Sequence, residues 1–284
     1  MKKIFKRGHK KRQTGFLFVL PSLSGVLFFI LIPFADVVRR SFTEAVSGAW
    51  VGLANFRTIF SNKAFCLAAV NTLRFEGICI PLLLALSLLT ALILDSLGEH
   101  VQFFKSCFLI PMAIPVASAV LLWKVLFHER GLLGGLLHML HIPGEDWMRT
   151  PWAFWILVAS YIWKNLGYDL ILWLAGLSGI SPSLYEAAQV DGAGRWQCFC
   201  CITLPGLLPS LFTISVLSIL NSFKVFREAY LAAGDYPHAS MYLLQHVFNN
   251  WYRDLSMDKM AAGAVVHAGV IFLLVLFLKR KWEG

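Results

Sequence analysis

The sequence predicts an all-α, polytopic membrane protein with six transmembrane helices, on three observations. Of 284 residues, 58% are hydrophobic and only 14% charged, with mean hydropathy +0.67, whereas soluble domains run nearer half apolar and a quarter charged. Six segments, 16–36, 69–93, 106–127, 152–177, 203–223 and 261–279, are long and apolar enough to cross about 30 Å of hydrocarbon at ~1.5 Å per residue. Positive charge gathers at the ends: MKKIFKRGHKKR holds seven Lys or Arg and no acid, and the last segment closes with Lys279-Arg280-Lys281. The positive-inside bias then places both termini in the cytoplasm, as an even number of spans requires. The net charge of +9 is an orientation signal, and the absence of a basic patch outside these tails argues against a nucleic-acid partner.

Taken in order, residues 1–15 form a basic cytoplasmic tail. The first span, 16–36, is read as a retained signal anchor, because Phe16–Ile32 exceeds a secretory h-region, contains Pro21 and lacks an A-x-A cleavage site. Residues 37–65 are expected outside, with turns at Gly48 and Gly52 and a break at Asn62-Lys63. The second span carries Arg74 and Glu76 near its outer end. Asp95–Lys105 is a short cytoplasmic link, and Pro111 and Pro115 should kink the third span, which ends near Trp123-Lys124. Residues 128–151 return outside. There His138 and His141 are three apart but lack a third metal ligand at a matching interval, so they are read as loop surface.

The fourth span is chemically the richest: Trp163, Lys164, Asn165, Tyr168 and Asp169 interrupt an otherwise apolar helix. Charges at membrane depth usually face a bundle interior or water. Lys164 and Asp169 stand about 140° apart on a helix, so they are expected to meet partners on other spans or in a cavity. The competing reading has both near the outer boundary, snorkelling. The fifth span is interrupted by Pro205 and Pro209 and reaches Asn221-Ser222-Phe223; 224–259 is expected as a long outer loop, and 280–284 as a cytoplasmic tail. Cys66, Cys79, Cys107, Cys198, Cys200 and Cys201 fall in or beside apolar segments, where cysteine packs as a small hydrophobe.

The most informative stretch is SPSLYEAAQVDGAGRWQCFCCITLP, residues 181–205, polar and turn-rich between two apolar segments. Ser181, Pro182 and a Ser183-x-x-Glu186 capping box predict a helix from Leu184, about two turns long, which Asp191, Gly192 and Gly194 end. A second helix should start near Trp196. Ala187, Ala188, Gly192 and Ala193 leave the short helix nearly bare, so another protein can approach its backbone, while Leu184 and Tyr185 offer an apolar anchor. A helix lying on the membrane surface is the alternative, but Leu184–Ala193 has none of the expected Lys or Arg.

Glu186-Ala187-Ala188, Gly192 and Ile202-x-Leu204-Pro205 resemble, at seven fixed positions over twenty residues, the EAA loop of binding-protein-dependent ABC importer permeases. Leu20-Pro21-Ser22-Leu23, Ser41-Phe42-Thr43, Val51-Gly52-Leu53-Ala54-Asn55-Phe56 and Glu228-Ala229-Tyr230 are similar to stretches of the carbohydrate-type members, the maltose and glycerol-3-phosphate importer permeases. The resemblance implies a type-1 ABC importer transmembrane fold over 67–279 in the cell membrane. It also implies a coupling role for Tyr185, Glu186, Ala187, Ala188, Asp191, Gly192, Leu204 and Pro205. The implied partners are a second homologous permease subunit, two ATPase subunits, an extracytoplasmic solute-binding protein bringing a sugar or sugar-like solute, and membrane lipid. ATP and Mg would sit on the ATPase, with no cofactor bound by this chain. Two departures stand out: Ile180-Ser181-Pro182 replaces the usual Ile-Pro, and Cys198, Cys200 and Cys201 stand where basic or polar residues are common.

No phosphate-binding loop, H-E-x-x-H or G-x-S-x-G occurs, so no catalytic centre is recognisable and energy must come from elsewhere. A permease for a non-sugar solute and a stand-alone secondary transporter are the competing functions. The docking loop and the lack of an inverted repeat disfavour the secondary transporter. For the solute path the candidates are Lys124, Trp163, Lys164, Asn165, Tyr168, Asp169, Asn221 and Ser222, aromatic faces for sugar rings and polar groups for their rims.

Overall fold

The computed structural model describes residues 18–96, 101–141 and 144–283. The tail 1–15, Phe16, part of the link after Asp95, and Pro143 lie outside the described residues. Among the described residues, the only β feature is an isolated Thr43–Trp50 bridge. Helices of eight or more residues are α1 (Phe18–Ser41), α2 (Ala54–Ser61), α3 (Lys63–Asp95), α4 (Val101–Ala113), α5 (Val116–Phe127), α6 (Leu132–Met139), α7 (Ala153–Ser178), α8 (Pro182–Val190), α9 (Leu208–Ser222), α10 (Val225–Ala233), α11 (Leu244–Arg253) and α12 (Met257–Glu283).

Four helical stretches among the described residues are long and apolar enough to cross a membrane: Phe18–Ser41, Lys63–Asp95, Leu208–Ala233 and Met257–Arg280. Gln102–Ala113 and Val116–Met139 make a fifth if taken as one span, although they meet at 87°. The sequence expects two proline kinks there; Pro111 instead stays inside α4 and the whole bend falls at Pro115, whose extended backbone (φ −55°, ψ 140°) opens α5. α7 has 26 residues, about 39 Å at ~1.5 Å per residue, and its polar residues dilute its apolar character. The expected outer loop 224–259 is mostly helical as α10 and α11, with α10 continuing α9 into one 26-residue rod.

The chain divides into two compact units, Met1–Asn62 with Trp251–Val270, and Lys63–Asn250 with Ile271–Gly284. In the first, the stretch after α1 is a tight knot. Gly48 and Gly52 take φ of +68° and +58°, Phe42 stacks on Trp50 with centroids 5.2 Å apart, and buried Asn55 donates to the carbonyls of Ser41 (3.1 Å) and Thr43 (2.9 Å). That gives the family-like residues 41–43 and 51–56 a structural reason.

In the second unit α7 is the axis. Phe75, Cys79 and Leu83 of α3 pack with Phe154, Leu157 and Tyr161 of α7 and Val225 and Ala229 of α10. Toward the other end of α7, Leu170, Trp173 and Leu177 meet Ala91 and Leu94 of α3, Leu207 and Ile214. In hydrocarbon such contacts gain from close packing rather than from leaving water, so polar pairs and small residues carry the specificity. Trp173 donates Nε1–H to Ser87 Oγ at 3.0 Å, and a Cβ on Gly167 would fall 2.0 Å from the Phe108 carbonyl of α4.

The start of α3 clamps the segment before α11. Buried Asn71 donates through Nδ2 to the carbonyls of Ala239 (2.6 Å) and Tyr242 (3.0 Å), and Thr72 Oγ1 accepts from Leu244 N–H at 3.0 Å. His246 caps the same turn, its Nδ1 accepting from Leu243 N–H at 3.1 Å. Burial pushes its ring down to about 4, so Nδ1 stays unprotonated and able to accept at neutral pH. Asn71→Ala leaves two carbonyls without their donor, a loss of about 1–3 kcal/mol. Amide exchange across 239–244 should then speed up by roughly tenfold or more by that same loss; unchanged exchange would show that the clamp does not hold the segment.

Candidate functional site

The loop after α7 is built from backbone rules. Gly179 closes α7, and Ser181 takes an extended conformation (φ −64°, ψ 129°) that turns the chain into α8 with Pro182 in its first turn. This corrects the expected start at Leu184 and the expected capping box: Ser181 is the cap position, its side chain makes no cap bond, and its hydroxyl lies 2.8 Å from that of Ser183. Proline's fixed φ suits the first helical position, so the helix begins two residues earlier and Ser183 is already inside it. The C-terminus closes by Ala193 N–H to the Ala188 carbonyl (2.9 Å) and Gly192 N–H to that of Gln189 (3.1 Å), with Gly192 at φ +80°. That pairing is a Schellman motif and requires the left-handed residue. Gly194 then opens Arg195–Cys198, with its N–H bonded to Gln197 Oε1 at 2.8 Å.

From Phe199 to Thr203 the backbone widens into a π turn, followed by Leu204–Gly206 and α9, with Pro205 and Pro209 each in the first turn of its helix. One side-chain bond holds α8 to this turn: the Tyr185 and Thr203 hydroxyls lie 2.9 Å apart, with Thr203 buried. No residue of α8 is buried. Leu184 is 52% and Val190 88% exposed, Glu186, Ala187 and Asp191 are exposed, and Ala188 is half-buried. Beside α8 lies a hollow of about 360 Å³ lined by Asp191, Gly192, Gln197 and Cys201 among others. Leu184, Val190 and the carboxylates of Glu186 and Asp191 are thus left uncovered by the rest of the chain.

The polar residues of α7 divide by partner. Lys164 Nζ meets Glu228 Oε1 of α10 at 3.2 Å, both side chains nearly buried at 13% and 11% exposure. Asp169, 1% exposed, accepts from Ser218 Oγ of α9 at 2.9 Å, and Tyr161 donates to the Ser218 carbonyl at 3.3 Å. Asn165 is turned back onto its own helix, donating to the Tyr161 carbonyl at 2.8 Å. Trp163 meets Trp123 edge to face, centroids 5.5 Å apart. Asn221 accepts from Lys224 Nζ at 2.6 Å and Ser222 donates to the Ile219 carbonyl at 2.7 Å. Lys124 is exposed, at the rim of a large cleft.

The expected single inward set is therefore not formed. Trp163 stands about 140° round the helix from Tyr168, whereas Lys164 and Asn165 lie within about 60° of it, Lys164 being held by Glu228. Glu228 and Ser218 were not singled out from sequence for this cluster. For Glu228 the available signal was a single acid, next to Arg227, in the otherwise apolar stretch VFREAYLAA. Among the described residues, no group of three His, Cys, Asp or Glu is placed to hold a metal, and the six cysteines are unbridged.

A family model described as binding-protein-dependent transport system inner membrane component matches residues 77–280, the stretch that carries both the loop and the polar helix. The chain belongs to that family. This permease is 30% identical over 274 residues to the trehalose/maltose transport system permease protein MalF of Thermococcus litoralis, covering 94% of the chain and 92% of that relative. It is 30% identical to the arabinooligosaccharides transport system permease protein AraP of Bacillus subtilis, covering 95% and 87%. It is 29% identical to the sn-glycerol-3-phosphate transport system permease protein UgpA of Yersinia enterocolitica, covering 94% of each. Its fold is similar, at TM-score 0.80 and 23% identity over 98% of both chains, to a bacterial ABC transporter involved in the import of the acidic polysaccharide alginate. The permease is thus an all-α, multi-pass membrane component of a binding-protein-dependent ABC importer, and a transport component rather than an enzyme.

Proposed function

We propose that this permease forms half of the membrane channel of an ATP-driven importer for a sugar or sugar-like solute. The observation that carries the coupling part is α8: a helix without a buried residue, pinned from behind by Tyr185–Thr203 and ended at Gly192, in the loop bearing the EAA pattern. α8 is the coupling helix, seated in the cytoplasm on one of two ATPase subunits that carry ATP and Mg. Glu186, Ala187, Ala188 and Asp191 meet its surface, and Leu204 and Pro205 fix the return into α9. The relatives' names, trehalose/maltose and arabinooligosaccharides among them, support a carbohydrate solute. A second homologous permease, a solute-binding protein outside and membrane lipid complete the assembly, with six spans and both termini in the cytoplasm.

Of the solute-path candidates, Asn165 and Tyr168 remain the best placed, sharing one side of α7, while Lys164, Asp169 and Ser222 are held in internal contacts. Two readouts test the reading. In a cysteine-free background, a cysteine at Ser183 should be protected from an impermeant thiol reagent in intact cells and one at Ser47 labelled; the opposite pattern would overturn the orientation. Deleting the gene should abolish growth on one carbohydrate and leave growth on amino acids unchanged, with Tyr168→Ala slowing that growth while the complex still assembles. A lost amino-acid phenotype in place of a carbohydrate one would remove the sugar.

A further inference from the structure

The hollow of about 360 Å³ beside α8 is lined by two cysteines, Cys198 and Cys201, together with Ala188 and Ala193 at the end of that helix. Cys198-Phe199-Cys200-Cys201 puts the pair three residues apart. The backbone that joins them starts out helical, with Cys198 at φ −58°, ψ −42° and Phe199 at φ −61°, ψ −51°. Residues so spaced on a helix are neighbours, with Cβ atoms about 5–6 Å apart. Cys200 stands two residues from one and next to the other, spacings that do not face each other. Both thiols of the pair are free; Cys201 is exposed and Cys198 half-buried.

Cys198 touches both attachments of α8. Its Sγ lies 4.0 Å from the carbonyl of Ala193, whose own N–H closes the helix on Ala188. Its carbonyl accepts from Thr203 Oγ1 at 3.5 Å, and that hydroxyl is the one 2.9 Å from Tyr185. Cys201 lies within the π turn that carries Thr203. A disulfide requires Cβ atoms about 3.8 Å apart, so closing one here draws the turn tighter by about 1–2 Å. The contacts of Cys198 to Ala193 and Thr203 move with it.

We propose that Cys198 and Cys201 form a redox-sensitive dithiol, which hydrogen peroxide closes into a disulfide that misplaces α8 and slows the ATPase. The proposal rests on the coupling-helix reading and adds a regulatory input to it. The exposed Cys201 thiolate attacks one peroxide oxygen and breaks the O–O bond, leaving a sulfenic acid and, once protonated, one water. The Cys198 sulfur then displaces the hydroxyl from that sulfenic acid, forming the S–S bond and releasing a second water. The two sulfurs lose two electrons and peroxide gains them; a small dithiol reverses the step by exchange. A cytoplasmic disulfide is usually a transient, redox-sensing one, and an accessible thiol beside a resolving cysteine is the arrangement that sensing requires.

The test treats the importer, purified through a tag on the permease and reconstituted in nanodiscs with its binding protein, with hydrogen peroxide. The peptide holding Cys198 and Cys201 should lose two hydrogens by mass spectrometry and regain them with dithiothreitol. Binding-protein-stimulated ATP hydrolysis should fall in step by about fivefold or more, and recover. Cys198→Ser and Cys201→Ser should each keep their activity under peroxide, whereas Cys200→Ser should respond like the parent. No disulfide, a disulfide with unchanged ATP hydrolysis, or a Cys198→Ser importer that still loses activity overturns the proposal. The coupling-helix reading is judged separately, by Gly192→Val in the same nanodiscs without peroxide: normal hydrolysis there would remove that reading, and the switch with it.

Discussion

Gly192→Val is expected to leave the permease in the membrane while reducing solute uptake and binding-protein-stimulated ATP hydrolysis by tenfold or more. Gly192 sits at φ +80°, where a β-branched residue carries a backbone cost of about 1–2 kcal/mol or more. A Cβ there would meet nothing within 4 Å, so the damage is conformational rather than a clash. The Schellman closure would open, and with it the angle at which α8 is presented. Because α8 contributes no buried residue to the fold, its distortion should be felt at the partner surface and hardly in the stability of the chain. Gly192→Asn, whose side chain tolerates the left-handed region, should recover most of the uptake. Normal uptake by the valine variant would rule out the docking role of the loop.

Lys164→Met should destabilise the permease by about 3–5 kcal/mol, the usual penalty for stranding one member of a buried ion pair. Glu228 has only Lys164 on Oε1 and no partner on Oε2, so its charge would lie uncompensated between α7 and α10. The measurement is thermal unfolding of detergent-solubilised protein, compared among Lys164→Met, Glu228→Leu and the double variant. Replacing a whole buried pair with apolar side chains is often neutral, so the double variant should melt close to the parent and well above either single one. Additive losses would mean that the two residues act independently.

These residues also separate what was legible in the sequence from what was not. Most of the long apolar helices and the short helix of the 181–205 loop were, since hydropathy, proline and glycine act over one or two turns. Pro182 sets the start of α8 and Gly192 its end through their own backbone preferences; a capping box at Ser183 would start the helix two residues later without changing the element. The 87° break at Pro115 was legible as a proline but not as an angle. Helix α10 was hidden inside an expected loop because VFREAYLAA is too short and too charged to register as a span.

By itself, then, the sequence determined the class of molecule, the order of its apolar helices and the loop that marks its family, all properties of neighbouring residues. Tertiary structure alone decided which polar groups meet. Lys164 and Glu228 are 64 residues apart, Ser218 and Asp169 are 49 apart, and Asn71 reaches carbonyls 168 and 171 residues away. No local pattern encodes these partners, because they follow from how α3, α7, α9 and α10 are rotated and packed against one another, and in a membrane a buried polar group must find its partner wherever that packing places one.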